Sequence, residues 1–337
     1  MRTVFASLVF TLFLYSCNNK GNAPDVSGIA ISLTTERFEK SLFDTTQKNL
    51  VSYLLKVQSN APSFASTFIT KILNADPGWP IDSIAGYVNG FINAYRPVYA
   101  SAEKLFKDFS QYEKEIKSGL QYVKHYFPQY KMPTKIITYI GPADGYGDIL
   151  MEDALVIGLQ HHLGKDFSLY KSELVQQTYP AYVSYDFEPG YISVNCMKNI
   201  VNDIYPENED DKPMMNQMVE KGKRLYVLSK LLPQKEEYML IGYTKKQMEE
   251  STSHEAVIWN LFIKNSYLQV ADKNIIKNYI GESPSTPELG EEAPGNIGAF
   301  AGWQIVKKYM QKNAAISLQQ LLNTDSEIIF QEAKYKP

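Results

Sequence analysis

The chain has 337 residues, 44% of them hydrophobic and 21% charged, a balance that supplies a sizeable core and argues against intrinsic disorder. Its net charge is only -3, with both signs scattered along the sequence. That leaves no basic footprint for nucleic acid, and DNA or RNA binding is excluded as a leading role.

The first sixteen residues hold one positive charge, Arg2, and an uncharged run from Thr3 to Ser16. A bilayer span needs about 20 apolar residues, so this run reads as the core of a signal peptide. Leu14-Tyr15-Ser16-Cys17 has the pattern of a lipobox, in which the cysteine receives a covalent lipid and becomes the mature N-terminus. The expected organisation is a signal peptide over 1–16, a lipidated tether over 17–27 and one globular domain over 28–337. The domain is then exported and held at a membrane of the cell envelope through Cys17. The only other cysteine, Cys196, has no disulfide partner if Cys17 is lipidated, so stability must come from packing by 24 Tyr, 16 Phe and 3 Trp.

Apolar residues at Ile81, Ile84, Val88, Phe91, Ile92 and Tyr95 predict a helix after Pro80, and Leu105, Phe109, Tyr112, Ile116, Leu120 and Val123 predict a second one ending before Pro128. Lys135 to Ile140 and Ala154 to Leu159 read as two strands flanking the glycine-rich stretch Gly141 to Gly147. Helical spacing returns at Val194, Met197, Ile200, Val201 and Ile204, closed by Pro206. The acidic run 207–211 lacks the register of a calcium loop and reads as a solvated connection to a helix over about Pro213 to Leu228. Thr244 and Gln247 have the spacing of a capping box, starting a helix expected to reach Phe262. A proline-rich, acidic loop from Glu282 to Pro294 precedes a last amphipathic helix through Ile297, Ala301, Ile305 and Tyr309, where Gly298 and Gly302 share one face and permit close packing. The class is α+β, mainly helical, with a small sheet or hairpin near 135–160.

Catalytic signatures are scarce. The sequence has no HExxH, no Walker A loop, no GxGxxG after a strand and no GxSxG elbow. Gly145-Tyr146-Gly147 lacks the following glycine and helix that cradling a phosphate needs. His161 and His162 follow Asp144, Asp148, Glu152 and Asp153, but adjacent strand residues point to opposite faces, so they read as surface histidines at a strand end rather than one metal site. His254-Glu255 has Ile258 where a second zinc histidine would stand, and reads as a polar patch on a helix whose inner face includes Ile258 and Phe262.

Several segments together resemble the gliding motility lipoprotein GldB family of Bacteroidetes. They are Pro24 to Ile29 leading to Glu36-Arg37-Phe38-Glu39-Lys40-Ser41-Leu42-Phe43, then Gly158 to Asp166, Gly222-Lys223-Arg224-Leu225-Tyr226, Pro294 to Gly298, and Gly302 to Met310. The chain departs from the family pattern at Asn296, where a basic residue is expected, and at His161-His162. The resemblance implies a lipid-anchored envelope protein with partners in the gliding and type IX secretion apparatus and no cofactor beyond the lipid on Cys17. The family is also distantly similar to HExxH zinc peptidases. That similarity puts Asn195 and Asn199 at the spacing of the two zinc histidines, Cys196 at the general base and Glu220 at the third ligand. Neutral amides are poor zinc ligands, so these positions read either as a dead peptidase scaffold or as polar positions on a half-buried helix. The competing functional readings are a metal-dependent, peptidase-like envelope hydrolase and a small-molecule or glycan binder.

Overall fold

The computed structural model describes residues 23–290 and 292–337; the expected signal peptide, Cys17 and most of the expected tether lie outside them. Four strands, β1 (Thr34–Arg37), β2 (Lys135–Tyr139), β3 (Ile149–Leu150) and β4 (Ala154–Gly158), form one sheet in the order β1-β2-β4-β3. β1, β2 and β4 are parallel, with Thr34 opposite Lys135 and Lys135 opposite Ala154. The two strands read from the sequence are therefore parallel neighbours and not a hairpin. The hairpin is made by the two-residue strand β3, which turns back antiparallel onto β4. β2 and β4 are buried nearly end to end, as expected of parallel strands covered on both faces.

β1 continues directly into the helix Phe38–Asp44, and a buried polar cluster fixes that corner. Arg37 Nε donates to Glu39 Oε1 at 2.7 Å and Arg37 Nη1 to the Phe106 carbonyl at 2.9 Å, while Thr138 Oγ1 donates to Glu39 Oε2 at 2.6 Å. Phe38 then meets Phe64 and Phe68 edge-on at 4.9 and 4.8 Å, pairs worth about 0.5–1.5 kcal/mol each beyond the area they bury. Val26, in the segment expected as tether, is already in the core.

The first long helix runs Ile81–Leu105, ten residues past its last predicted apolar position at Tyr95 and straight through Pro97. Interior proline costs roughly 3 kcal/mol in an isolated helix. Here burial of Val98, Tyr99 and Ala102, with Tyr99 stacked on Phe43 at 4.6 Å, holds the extra turns in place. Leu105 is exposed and ends this helix rather than starting the next, which is Ser110–Tyr126.

Helices Ile192–Ile204, Met214–Leu231 and Ile297–Lys312 form the other half of the core. The last two cross in direct backbone contact: a Cβ on Gly302 would lie 1.7 Å from the Met218 carbonyl oxygen, and one on Gly222 would lie 2.3 Å from the Gly302 oxygen. Only paired glycines let two helices approach this closely. The capping box at Thr244 and Gln247 is formed, but its helix stops at Ser253, turns at His254 and resumes as Glu255–Lys264. The loop 207–211 is not uniformly solvated: Glu209 is 2% exposed and receives Arg224 Nη1 at 2.5 Å and Nη2 at 3.1 Å. An arginine on the following helix thus supplies the counter-charge that a reading confined to the loop did not include. Among the described residues no helix is long and apolar enough to cross a membrane.

Candidate functional site

A cavity of about 460 Å³ opens between the helix Ile192–Ile204, the turn Tyr182–Phe187, the helix Met214–Leu231, the segment Leu240–Gln247 and the loop from Glu282 into Ile297–Lys312. Asn195, Lys198 and Asn202 recur at helical spacing, so one stripe of the Ile192–Ile204 helix faces it. Asp186 faces it from the turn, and Leu225 and Leu228 supply an apolar wall.

The loop wall is held by residues of the Pro294 to Gly298 segment. Gly295 comes so near Ser283 that a Cβ would meet the Ser283 oxygen at 2.1 Å, and its own carbonyl accepts the Tyr243 hydroxyl at 3.0 Å. Asn296 sits at φ 55, a left-handed conformation that Asn tolerates, and its side-chain oxygen accepts the Gly281 amide at 3.0 Å. Gly298 donates its amide to the Tyr279 carbonyl at 2.8 Å.

Charges around the cavity fall into two groups. Lys221 is paired with Glu207 at 2.6 Å, and Arg224 is held by Glu209. Asp186 and Lys198 face one another's field without forming an ion pair among the described residues, and the Tyr191 hydroxyl faces the Asp186 carboxyl. Burial pushes the Asp186 carboxyl up to about 6, partly countered by the Lys198 charge. Burial likewise lowers the Lys198 ammonium, with Asp186 and Glu282 pulling the other way.

Behind Asn195 lies the histidine pair, and both histidines are buried, contrary to the expectation of surface residues. The chain leaves β4 in a tight turn, Leu159–His161, rather than extending the strand, which swings both rings inward. His162 Nε2 donates to Asp148 Oδ2 at 2.9 Å and Nδ1 to the Glu188 carbonyl at 3.2 Å. Both ring nitrogens face acceptors, so both carry protons and the ring is an imidazolium. Burial alone would lower the His162 pKa, but Asp148 and the Glu188 carbonyl together more than reverse it, and His162 with the Asn195 and Gly158 donors holds the Asp148 carboxyl below its usual range despite burial. His161 differs. Its Nε2 donates to the Ala143 carbonyl at 2.9 Å, and its ring stacks on Phe187 at 4.3 Å; burial lowers its pKa to about 4, which keeps it neutral.

The positions of the peptidase resemblance are half-buried at Asn195 and Asn199 and buried at Cys196 and Glu220. Asn199 Nδ2 donates to the Asp148 carbonyl at 3.1 Å, and Asn195 hydrogen-bonds the Asp148 carboxylate. Burial, with the nearby Asp148 charge, raises the Cys196 thiol well above its ordinary pKa, which makes it a poor base or nucleophile. Glu220 accepts Lys223 Nζ at 2.9 Å, the Tyr205 hydroxyl at 2.9 Å and the Ser326 hydroxyl. Its hydrogen bonds are thus taken by groups other than the two asparagines, and these residues do not fit a zinc ion. Among the described residues no group of three or more His, Cys, Asp or Glu is placed to hold a metal. His254 is exposed, bonded to the Glu250 carbonyl at 2.9 Å, with Ile258 and Phe262 buried beneath its helix.

Sequence reading missed Asp186 and Lys198. The one available signal was Lys198 at the i+3 position from Asn195 on one stripe of an amphipathic helix; Asp186 sits in an irregular turn with no motif.

Fold and site together define a helix-rich α+β protein with a polar cavity set against a buried aspartate–histidine pair. The chain belongs to the family of the gliding motility protein GldB, a lipoprotein family whose model matches residues 19–337, nearly the full length. Neither a curated protein nor a solved structure matches it.

Proposed function

We propose that the protein is anchored through a lipid on Cys17 and supports the gliding and type IX secretion machinery of the cell envelope by protein contacts, without catalysing a reaction. Family membership supports the motility role. The observation that supports the non-catalytic half is the use of the Asn195, Asn199 and Glu220 side chains. Each is committed to internal hydrogen bonds that hold Asp148 or bridge to Tyr205, Lys223 and Ser326. A metal-activated hydrolase needs such side chains free to bind a cation and leave one coordination position open.

The test is metal analysis of the purified full chain with a peptide-cleavage assay. Less than one equivalent of zinc and no chelator-sensitive cleavage are expected. Stoichiometric zinc with cleavage abolished by a chelator would overturn the proposal in favour of the hydrolase reading.

A further inference from the structure

The cavity contains an ammonium and a carboxylate that face each other without touching. Lys198 projects from the same helical stripe as Asn202, so two hydrogen-bond donors converge on one wall. Asp186 stands across from them with no cationic partner among the described residues, its carboxyl approached by the Tyr191 hydroxyl, and the exposed Glu282 lies at the rim. The remaining charges that line the space are already neutralised, Lys221 by Glu207 and Arg224 by Glu209. Asp186 and Lys198 are half-buried, and a charge partly withdrawn from water gains stability from an ionic partner, so an opposite pair held apart is poorly explained by stability alone. A ligand inserted between the two groups supplies those partners. We infer that the cavity binds a small zwitterion of the amino-acid or dipeptide class, its carboxylate at Lys198 with the Asn202 amide, its ammonium at Asp186 and Glu282.

Other ligand classes fit the charges less well. A neutral glycan leaves both charges uncompensated. A simple anion meets Asp186 and Glu282, and a simple cation meets Lys198. The apolar wall of Leu225, Leu228, Val201, Leu240 and Ile241 suits an aliphatic side chain, and the volume of about 460 Å³ falls within the roughly 300–1,000 Å³ usual for small-ligand sites. The inference stands apart from the anchoring and motility proposal, because it concerns only the occupant of the cavity.

The experiment is calorimetric titration of the full chain in detergent with a leucine series: leucine, Ala-Leu, leucinamide, N-acetyl-leucine, N-acetyl-leucinamide and maltose as the glycan control. Leucine or Ala-Leu is expected to bind, the preferred one identifying free amino acid or dipeptide, with each single-charge analogue at least about tenfold weaker, a difference of about 1.4 kcal/mol. Lys198→Met and Asp186→Asn are each expected to weaken the zwitterion at least about tenfold. Asp186→Asn is further expected to abolish the preference for leucine over N-acetyl-leucine, a readout that a general loss of fold would not give. Circular dichroism and an unfolding midpoint establish that each variant is folded. The inference is overturned if no zwitterion binds the folded chain, if N-acetyl-leucinamide or maltose binds as well as leucine, or if both folded variants bind unchanged.

Discussion

Adding one methyl group at Gly302 is a severe perturbation of this fold. The new carbon would lie 1.7 Å from the Met218 carbonyl oxygen and 3.1 Å from its Cα, on the seam where Met214–Leu231 crosses Ile297–Lys312. Carbon contacts settle near 3.5 Å, so the helices must part by more than about 1 Å. The obstruction is backbone, which has no rotamer to escape into. Met218, Trp303 and Val306 are fully buried there and lose dispersion contacts as the seam opens. Overpacking of this kind costs about 3 kcal/mol, offset by the roughly 1 kcal/mol gained when alanine replaces a helical glycine, for a net loss of about 2 kcal/mol. Gly86 provides the control: it is exposed inside Ile81–Leu105 and a Cβ there meets nothing within 4 Å. Gly86→Ala is expected to gain about 0.5–1 kcal/mol. Thermal and urea unfolding followed by tryptophan fluorescence should place Gly302→Ala about 3 °C below the parent protein and Gly86→Ala above it. A Gly302→Ala midpoint equal to or above the parent's would refute the close-approach reasoning.

Acid stability should carry two opposed contributions. His161 has a folded pKa of about 4 against an ordinary 6.5, so the unfolded chain takes up its proton first and stability falls as pH drops from 6.5 to 4. Asp186 has a folded pKa of about 6 against 3.8, so the folded state takes up its proton first and stability rises as pH drops from 6 to 3.8. Asp186→Asn is therefore expected to steepen the loss of stability between pH 6 and 4, and His161→Phe to reverse its sign, measured as urea midpoints across that range. Unchanged pH profiles in both variants would contradict the burial of these groups. Thr244→Ala removes the side-chain acceptor of the Gln247 amide and should cost about 1 kcal/mol in urea unfolding; no loss would mean that the cap contributes nothing.

How far the sequence disclosed this protein depends on which interactions are local. The helices at 192–204, 214–231 and 297–312 and the capping box at Thr244 were legible because their determinants lie within a few turns of each other. The Gly298/Gly302 spacing signalled close packing, although its partner Gly222, some eighty positions earlier, did not. Burial of Glu209 and of both histidines was illegible, since Arg224, Asp148 and the Glu188 carbonyl reach them from elsewhere in the chain. The same holds for the strand pairing: β2 and β4 look like two arms of a hairpin until the short β3 is seen to take the antiparallel position. Family segments proved to be places of tight local demand, such as the Arg37–Glu39 corner and the close approach of Gly295 to Ser283, which explains their character without assigning them chemistry.

The account turns on anchoring at Cys17 as the condition for a motility role. The direct measurement is cell spreading of a gliding bacterium deleted for its own member of the family and supplied with this full chain, with incorporation of a fatty-acid analogue read in the same cells. The parent chain is expected to take up the label and restore spreading, and Cys17→Ala, at equal abundance, to do neither. Restored spreading by an unlabelled Cys17→Ala chain would contradict the account.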